Sequence, residues 1–276
     1  MSARPKVLDL FACEGGASEG YRRAGFDVYA VDLDENRLKR NPSAKHLGDA
    51  LAVLRALIDY EAVWFTHPDG QRERLYLRDF VFGHASPPCQ GYTRGNAGKV
   101  TAWPKLIPDV RAQFVDSGLP YVIENVRDAG PEMVDPVGLC GCMFDLRAND
   151  VDGEPLLLTR WRLFETNFPM SAPRECDHSS GWIAGAYGGS RRAKREDGES
   201  LAAVAPRDRH EARYVRKGGY VPRSREVLKA LLGIDHDMTL RGLHESIPPA
   251  YAEHVGRELL ASLAQTTIDD ALEEVA

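Results

Sequence analysis

The chain has 276 residues, 43% of them hydrophobic, and a formal net charge of −6. That allows one large domain with a core of its own, or one domain with a small appendage. No apolar run of about 18 residues is present, the opening Met1-Ser2-Ala3-Arg4-Pro5-Lys6 is not a secretory signal, and five cysteines do not make a disulfide framework; a membrane span is excluded and a reducing cytosol is expected. The charge is uneven: Met170 to Arg225 holds 12 Lys and Arg against 7 Asp and Glu, a net +5, and the remainder is −11. An acidic body can hold a polyanion through such a basic segment; a solvated, charged loop is an equal reading.

Lys6 to Ala12 reads as a buried parallel strand. Cys13-Glu14-Gly15-Gly16-Ala17-Ser18 follows as a tight turn, Glu19 to Ala24 as a helix, and Gly25 as its stop. Asp27 to Leu33 is a second strand with Asp32 at its end. Strand, glycine turn, helix and strand with a terminal acid form the nucleotide-binding half of a doubly wound fold. The turn does not spell Gly-x-Gly-x-x-Gly, so a dinucleotide is not the first choice. Asn36 to Pro42 is a connecting helix or turn, and Ala50 to Tyr60 a helix that Asp49 either caps or leaves for a ligand. Ala62 to Leu77 alternates around Pro68-Asp69-Gly70, which predicts a β-hairpin.

Phe80 to Ala85 is a further strand, stopped by Ser86-Pro87-Pro88-Cys89-Gln90, because proline cannot donate a ladder hydrogen bond. Cys89 thus falls just past a strand's carboxyl end, where open α/β sheets bind ligands. A thiol there is either buried filler or a nucleophile. Tyr92 to Thr101 reads as a mobile loop and Pro104 to Ser117 as a helix. Pro120 to Val126 is a buried strand ending in Glu124-Asn125, and a carboxylate there needs a partner. Val137 to Leu146 and Leu156 to Asn167 read as two more strands. In the second, period-two spacing puts Arg160 and Arg162 on one face, either as surface residues or as fixed donors aimed into the cleft. Cys140-Gly141-Cys142 and Cys176-Asp177-His178 spell four zinc-type ligands. Their spacing is unusual, so no metal is expected. Pro169 to Pro222 reads as a small basic lobe containing Arg191, Arg192, Lys194 and Arg195. Arg223 to Gly233 and Pro248 to Ala264 return to helix, and Thr266 to Ala276 is a frayed acidic tail. The expected boundaries are 1–168, 169–222, 223–265 and 266–276.

Taken together, Asp9-Leu10-Phe11-Ala12 with Gly15-Gly16, Pro87-Pro88-Cys89-Gln90, Glu124-Asn125-Val126, Arg160-Trp161-Arg162 and Ser246-Ile247-Pro248-Pro249-Ala250-Tyr251 stand in one family's order over nearly the whole chain. The chain resembles the cytosine-C5 DNA methyltransferases, most of all their small stand-alone bacteriophage forms. It departs from them at Cys13, where a glycine is usual, and at Glu245-Ser246, where Asn-Ser or Asn-Ala is usual. The hairpin is an addition, and the recognition lobe is very short.

The resemblance implies a doubly wound, Rossmann-like α/β methyltransferase sheet with a small basic target-recognition lobe, in a monomer of the host bacterial cytosol. It implies S-adenosyl-L-methionine as cofactor: Phe11 on the adenine, Glu14, Gly15 and Gly16 around the methionine part, Asp32 on the ribose, Asp49 on the adenine amino group, with Pro87 and Ser246 nearby. Cys89 is expected to attack cytosine C6. Glu124 would bind N3 and the 4-amino group, and Arg162, together with Arg160, would bind O2. The partner is expected to be double-stranded DNA, contacted by Gln90, Arg191, Arg192, Lys194 and Arg195, with the target base flipped out. A tRNA methyltransferase and a non-catalytic DNA-binding relative are the competing readings.

Overall fold

The computed structural model describes residues 3–93, 103–151, 153–179, 182–186, 222 and 224–273. In chain order the elements are β1 (Lys6–Leu10), α1 (Gly16–Ala24), β2 (Asp27–Asp32), α2 (Glu35–Leu38), β3 (Ala44–Leu47), α3 (Ala50–Ile58), β4 (Val63–Thr66), β5 (Arg72–Leu75), β6 (Phe82–Ala85), α4 (Ile107–Ser117), β7 (Tyr121–Val126), β8 (Val137–Leu139), β9 (Arg147–Asn149), β10 (Pro155–Leu158), β11 (Arg162–Thr166), β12 (Trp182–Ala184), α5 (Arg225–Leu232), α6 (Leu240–Glu245) and α7 (Pro249–Glu273).

Among the described residues, the main sheet has nine strands in the order β5-β4-β3-β2-β1-β6-β7-β11-β8. Strands β3, β2, β1, β6 and β7 are parallel. The β4–β5 hairpin closes one edge antiparallel, and β11 runs antiparallel between β7 and β8 at the other. The order reverses between β1 and β6, which makes their carboxyl ends the crevice of a doubly wound sheet.

Alternation along each strand feeds two cores. Val7, Val28, Phe82 and Val122 pack with Tyr21, Phe26, Tyr251 and Val255 on one face, under α1 and α7. Leu8, Leu10, Tyr29 and Ile123 pack with Leu54, Leu57 and Phe114 on the other, under α3 and α4. Strands buried on both faces are what parallel sheets require. Helices α1 and α7 approach closely, because a Cβ on Gly20 would lie 2.8 Å from the Ala252 Cβ. A three-stranded sheet, β12-β10-β9, is covered by α5 and α6 through Leu228, Leu231, Leu232 and Leu243. Of the C-terminal helices it is therefore α7 that lies against the main sheet.

Several boundaries differ from the sequence reading. The first strand stops at Leu10, because Phe11 takes a left-handed backbone (φ 58). Ala44–Leu47 forms a strand that its short, half-polar sequence does not announce. The stretch Leu156 to Asn167 is two strands of two different sheets, broken at Thr159-Arg160-Trp161. The last helix runs on through Glu273. No helix among the described residues is long and apolar enough to cross a membrane.

Candidate active site at the carboxyl edge of the sheet

Strand β6 ends where the prolines begin: Ser86 N makes the last bond to β1, 3.2 Å to Leu10 O. The loop is then pinned twice. Asn125 Nδ2, at the end of β7, donates to Pro87 O at 2.9 Å. The Cys89 carbonyl accepts from Tyr92 N, Thr93 N and Thr93 Oγ1 at 3.0–3.1 Å. Cys89 is therefore a half-buried thiol on a fixed turn at the switch point. Burial pushes its pKa up; the Arg162 charge opposes that shift and the Glu124 charge adds to it.

Glu124 and Arg162 lie together. They sit on neighbouring strands, one diagonal step apart in register, so their side chains share a sheet face. Arg162 Nε lies 3.1 Å from Glu124 Oε1, and both side chains are buried. Burial raises the Glu124 pKa, against the pull of Arg162, Arg160 and the Ser86 hydroxyl.

Three residues outside the expected site hold Glu124 in place. Tyr21 Oη is 2.7 Å from His84 Nδ1, and His84 Nε2 is 2.7 Å from Ser86 Oγ. Ser86 in turn bonds the Glu124 carboxylate. Burial lowers the His84 pKa to about 3, so the ring is neutral. A consistent set of donors is Tyr21 O–H to Nδ1, Nε2–H to Ser86 and Ser86 O–H to Glu124. The signal was available: His84 sits on the same alternation as Phe82, facing Tyr21.

Arg160 is placed differently from Arg162. It precedes the strand and is fully buried. Its guanidinium donates to Ala186 O and to His244 O, the latter at 2.7 Å, and its own carbonyl accepts from Tyr251 Oη at 2.6 Å. It joins the small sheet, α6 and α7, and the expected pair of arginines on one strand face does not form.

The residues expected around a cofactor divide in two. Phe11, half-buried with its left-handed backbone, and Asp32 line the ends of β1 and β2. The Asp32 oxygens accept from Cys13 N and Asp34 N, each at 2.8 Å, and keep lone pairs for further donors. Asp49 caps α3, accepting from Ala52 N at 2.8 Å. Glu14, by contrast, faces inward. Its carboxylate accepts from Thr239 N at 2.6 Å and Thr239 Oγ1 at 2.5 Å, which ties down the start of α6. Gly15 has φ 94 at the head of α1, a backbone that favours glycine. Gly16 is needed because a Cβ there would come within 3.0 Å of the Ser246 Cβ; Ser246 itself is buried and donates to Leu243 O. The two unusual residues, Cys13 and Glu245, meet at one side chain: Arg37 Nη1 is 3.4 Å from Cys13 Sγ and 2.5 Å from Glu245 Oε2.

Gln90 follows Cys89 on the pinned turn, half-buried. Arg191, Arg192, Lys194 and Arg195, like most of the loop after Thr93, lie outside the described residues. The structure also brings together what the spacing did not promise: the thiols of Cys140, Cys142 and Cys176 and the His178 imidazole, with ligand atoms all within 4.8 Å of one another.

No protein-family model matches the sequence, and no curated protein matches it. Among solved structures the chain is similar to an E. coli protein described as a DNA modification methyltransferase encoded within a prophage, at 15% identity and a TM-score of 0.52, over 94% of this chain and 99% of that one. It is also similar to the S. pombe Dnmt2 methyltransferase (13% identity, TM-score 0.49, 95% and 99% covered) and to the Entamoeba histolytica methyltransferase EhMeth (12%, 0.41, 95% and 99%). At such identities the likeness to the prophage protein shows the fold alone, a doubly wound, Rossmann-like α/β sheet.

Proposed function

We propose that this chain is an S-adenosylmethionine-dependent methyltransferase that modifies C5 of a flipped-out cytosine in double-stranded DNA. The observation that carries the reading is the buried Glu124–Arg162 pair beside the half-buried Cys89 thiol, at the switch point of a methyltransferase sheet. The DNA assignment draws on the family resemblance and on the description of the prophage protein.

Cytosine C5 is a poor nucleophile until a group adds at C6. Cys89, as thiolate, adds there and turns C5–C6 into an enamine. Glu124, whose pKa burial raises against the pull of Arg162, hydrogen-bonds N3 and the 4-amino group, and Arg162 places positive charge where density builds on O2. Burial works against the thiolate, and the Arg162 charge works for it. S-adenosylmethionine supplies the methyl group when bound, and the residues fit it: an aromatic face at Phe11, a strand-end acid with free lone pairs at Asp32, and Asp49 beyond. Once C5 is methylated, water takes the C5 proton, and the electron pair of that C–H bond re-forms C5=C6 as the Cys89–C6 bond breaks and frees the thiolate. Gln90, next to Cys89 on the same turn, would contact the DNA, and the basic residues Arg191, Arg192, Lys194 and Arg195 would meet phosphates.

The test is bisulfite sequencing of DNA from cells expressing the protein or its Cys89→Ala variant, with tRNA from the same cells alongside. Cytosine-C5 methylation of DNA in one sequence context, lost with Cys89→Ala, is expected. Methylated tRNA with unmodified DNA would overturn the substrate. Undiminished methylation by Cys89→Ala would overturn the nucleophile.

A further inference from the structure

Cys140 and Cys142 flank Gly141 in the turn that follows β8, and Cys176 and His178 flank Asp177 in the segment that follows β11. Cys142 Sγ is 3.2 Å from Cys176 Sγ. His178 Nε2 is 3.3 Å from Cys140 Sγ and 3.1 Å from Cys176 Sγ. Bond lengths of about 2.3 Å to sulfur and about 2.0 Å to nitrogen put the ligands of a tetrahedral zinc roughly 3.5–3.8 Å apart. The four ligand atoms, 3.1–3.3 Å apart in three of their pairs and all within 4.8 Å of one another, bracket that spacing. We propose that Cys140, Cys142, Cys176 and His178 bind one zinc ion, in a closed structural site that clamps the segment leading into the basic lobe onto the sheet carrying Arg162.

The chemistry of the set selects the metal. Three soft thiolates and one imidazole, with four protein ligands and no open position, are a structural zinc set. The local backbone is shaped for it. Gly141 lets the Cys-Gly-Cys turn press on β10, where a Cβ would lie 2.7 Å from the Leu158 Cβ. Arg174 donates to Cys142 O at 2.6 Å and pairs with Asp145 at 2.8 Å, which fixes the second turn against the first and sets a cation beside a site of net negative charge. A Cys142–Cys176 disulfide would use two of the four groups and leave the convergence of Cys140 and His178 without a cause.

The position explains what such an ion does. Leu139, the residue before the first ligand, is the ladder partner of Arg162. The last ligands precede the basic segment by about a dozen residues. One ion therefore ties the segment beside the strand partner of Arg162 to the segment that precedes the basic stretch.

The untagged full-length chain, purified from zinc-supplemented cells and passed over a column with a weak chelator, is expected to retain about one zinc per chain. Replacing zinc by cobalt(II) is expected to give the thiolate-to-cobalt absorption of a tetrahedral ion. Cys142→Ser and Cys176→Ser are each expected to lower bound zinc roughly fivefold or more, whereas Cys13→Ser keeps it. Since those variants can misfold, the wild-type chain carries the decision: a strong chelator is expected to lower its melting temperature and to open Cys140, Cys142 and Cys176 to alkylation. A metal-free wild-type chain whose thiols alkylate freely would overturn the site, as would one lighter by the two hydrogens of a Cys142–Cys176 disulfide. None of these measurements depends on the methyltransferase reading.

Discussion

Arg162 and Glu124 form a buried ion pair across β7 and β11, 3.1 Å from Nε to Oε1. One diagonal step of register places them on the same face of the sheet. Neither charge has a good alternative in that position, because water is excluded and the sheet is fixed.

Removing one partner is therefore expected to leave the other uncompensated, so that the two losses do not add. Arg162→Met and Glu124→Leu should each lower stability by about 3–5 kcal/mol, since each strands a buried charge. The double variant should recover at least about 1 kcal/mol of the sum. Urea unfolding of the four proteins checks this, and strict additivity would mean that the two groups are not coupled.

Cys89 titrates above the ordinary thiol range because burial outweighs the pull of Arg162. Its alkylation rate should rise with pH, with a midpoint above about 8.5. Arg162 holds that midpoint down and Glu124 holds it up, so Arg162→Gln should raise it and Glu124→Gln lower it. The pH dependence of iodoacetamide labelling at Cys89, read by mass spectrometry, reports the two signs; a common direction for both variants would contradict the geometry.

Ser86 bonds the Glu124 carboxylate and lowers its pKa. Ser86→Ala should move the Glu124 titration upward. If protonated Glu124 is the working form, the alkaline fall of kcat/KM shifts to higher pH by the same amount. A profile that falls in amplitude without shifting would assign Ser86 a packing role alone.

Asp9 is fully buried, and burial lifts its pKa to about 7. Ser18 Oγ donates to Oδ2, and Oδ1 has no hydrogen-bond partner among the described residues. In the unfolded chain an aspartate titrates near 3.9. Between about pH 4 and about pH 7 the folded protein holds the proton that the unfolded chain releases, so stability is full below that window and declines as pH rises through it. Asp9→Asn, neutral throughout, should escape the decline and gain up to about 4 kcal/mol relative to wild type between pH 4 and pH 8. Urea unfolding at the two ends measures it; an equal offset at both would sink the assignment.

The amino-acid sequence by itself determined the sheet and its chemical edge. Apolar strands ending in Asp32, Cys89 and Glu124, each broken by turn residues, announce a doubly wound crevice, because a polar group at the end of a buried strand must face whatever opens there. The β4–β5 hairpin and the helix stop at Gly25 were equally local, and therefore legible. Tertiary structure decided which side chains turn toward the crevice. Glu14 stands in the glycine turn yet accepts from Thr239, the cap of α6, more than 220 residues away in sequence. Arg160 is two residues from Arg162 yet lies off its strand, bonded to carbonyls of the small sheet and α6. Cys140, Cys142, Cys176 and His178 look too widely spaced for a metal until the segments after β8 and β11 are seen side by side. Periodicity reports the face a residue presents within its own element; partners supplied by distant segments are set only when the chain closes on itself.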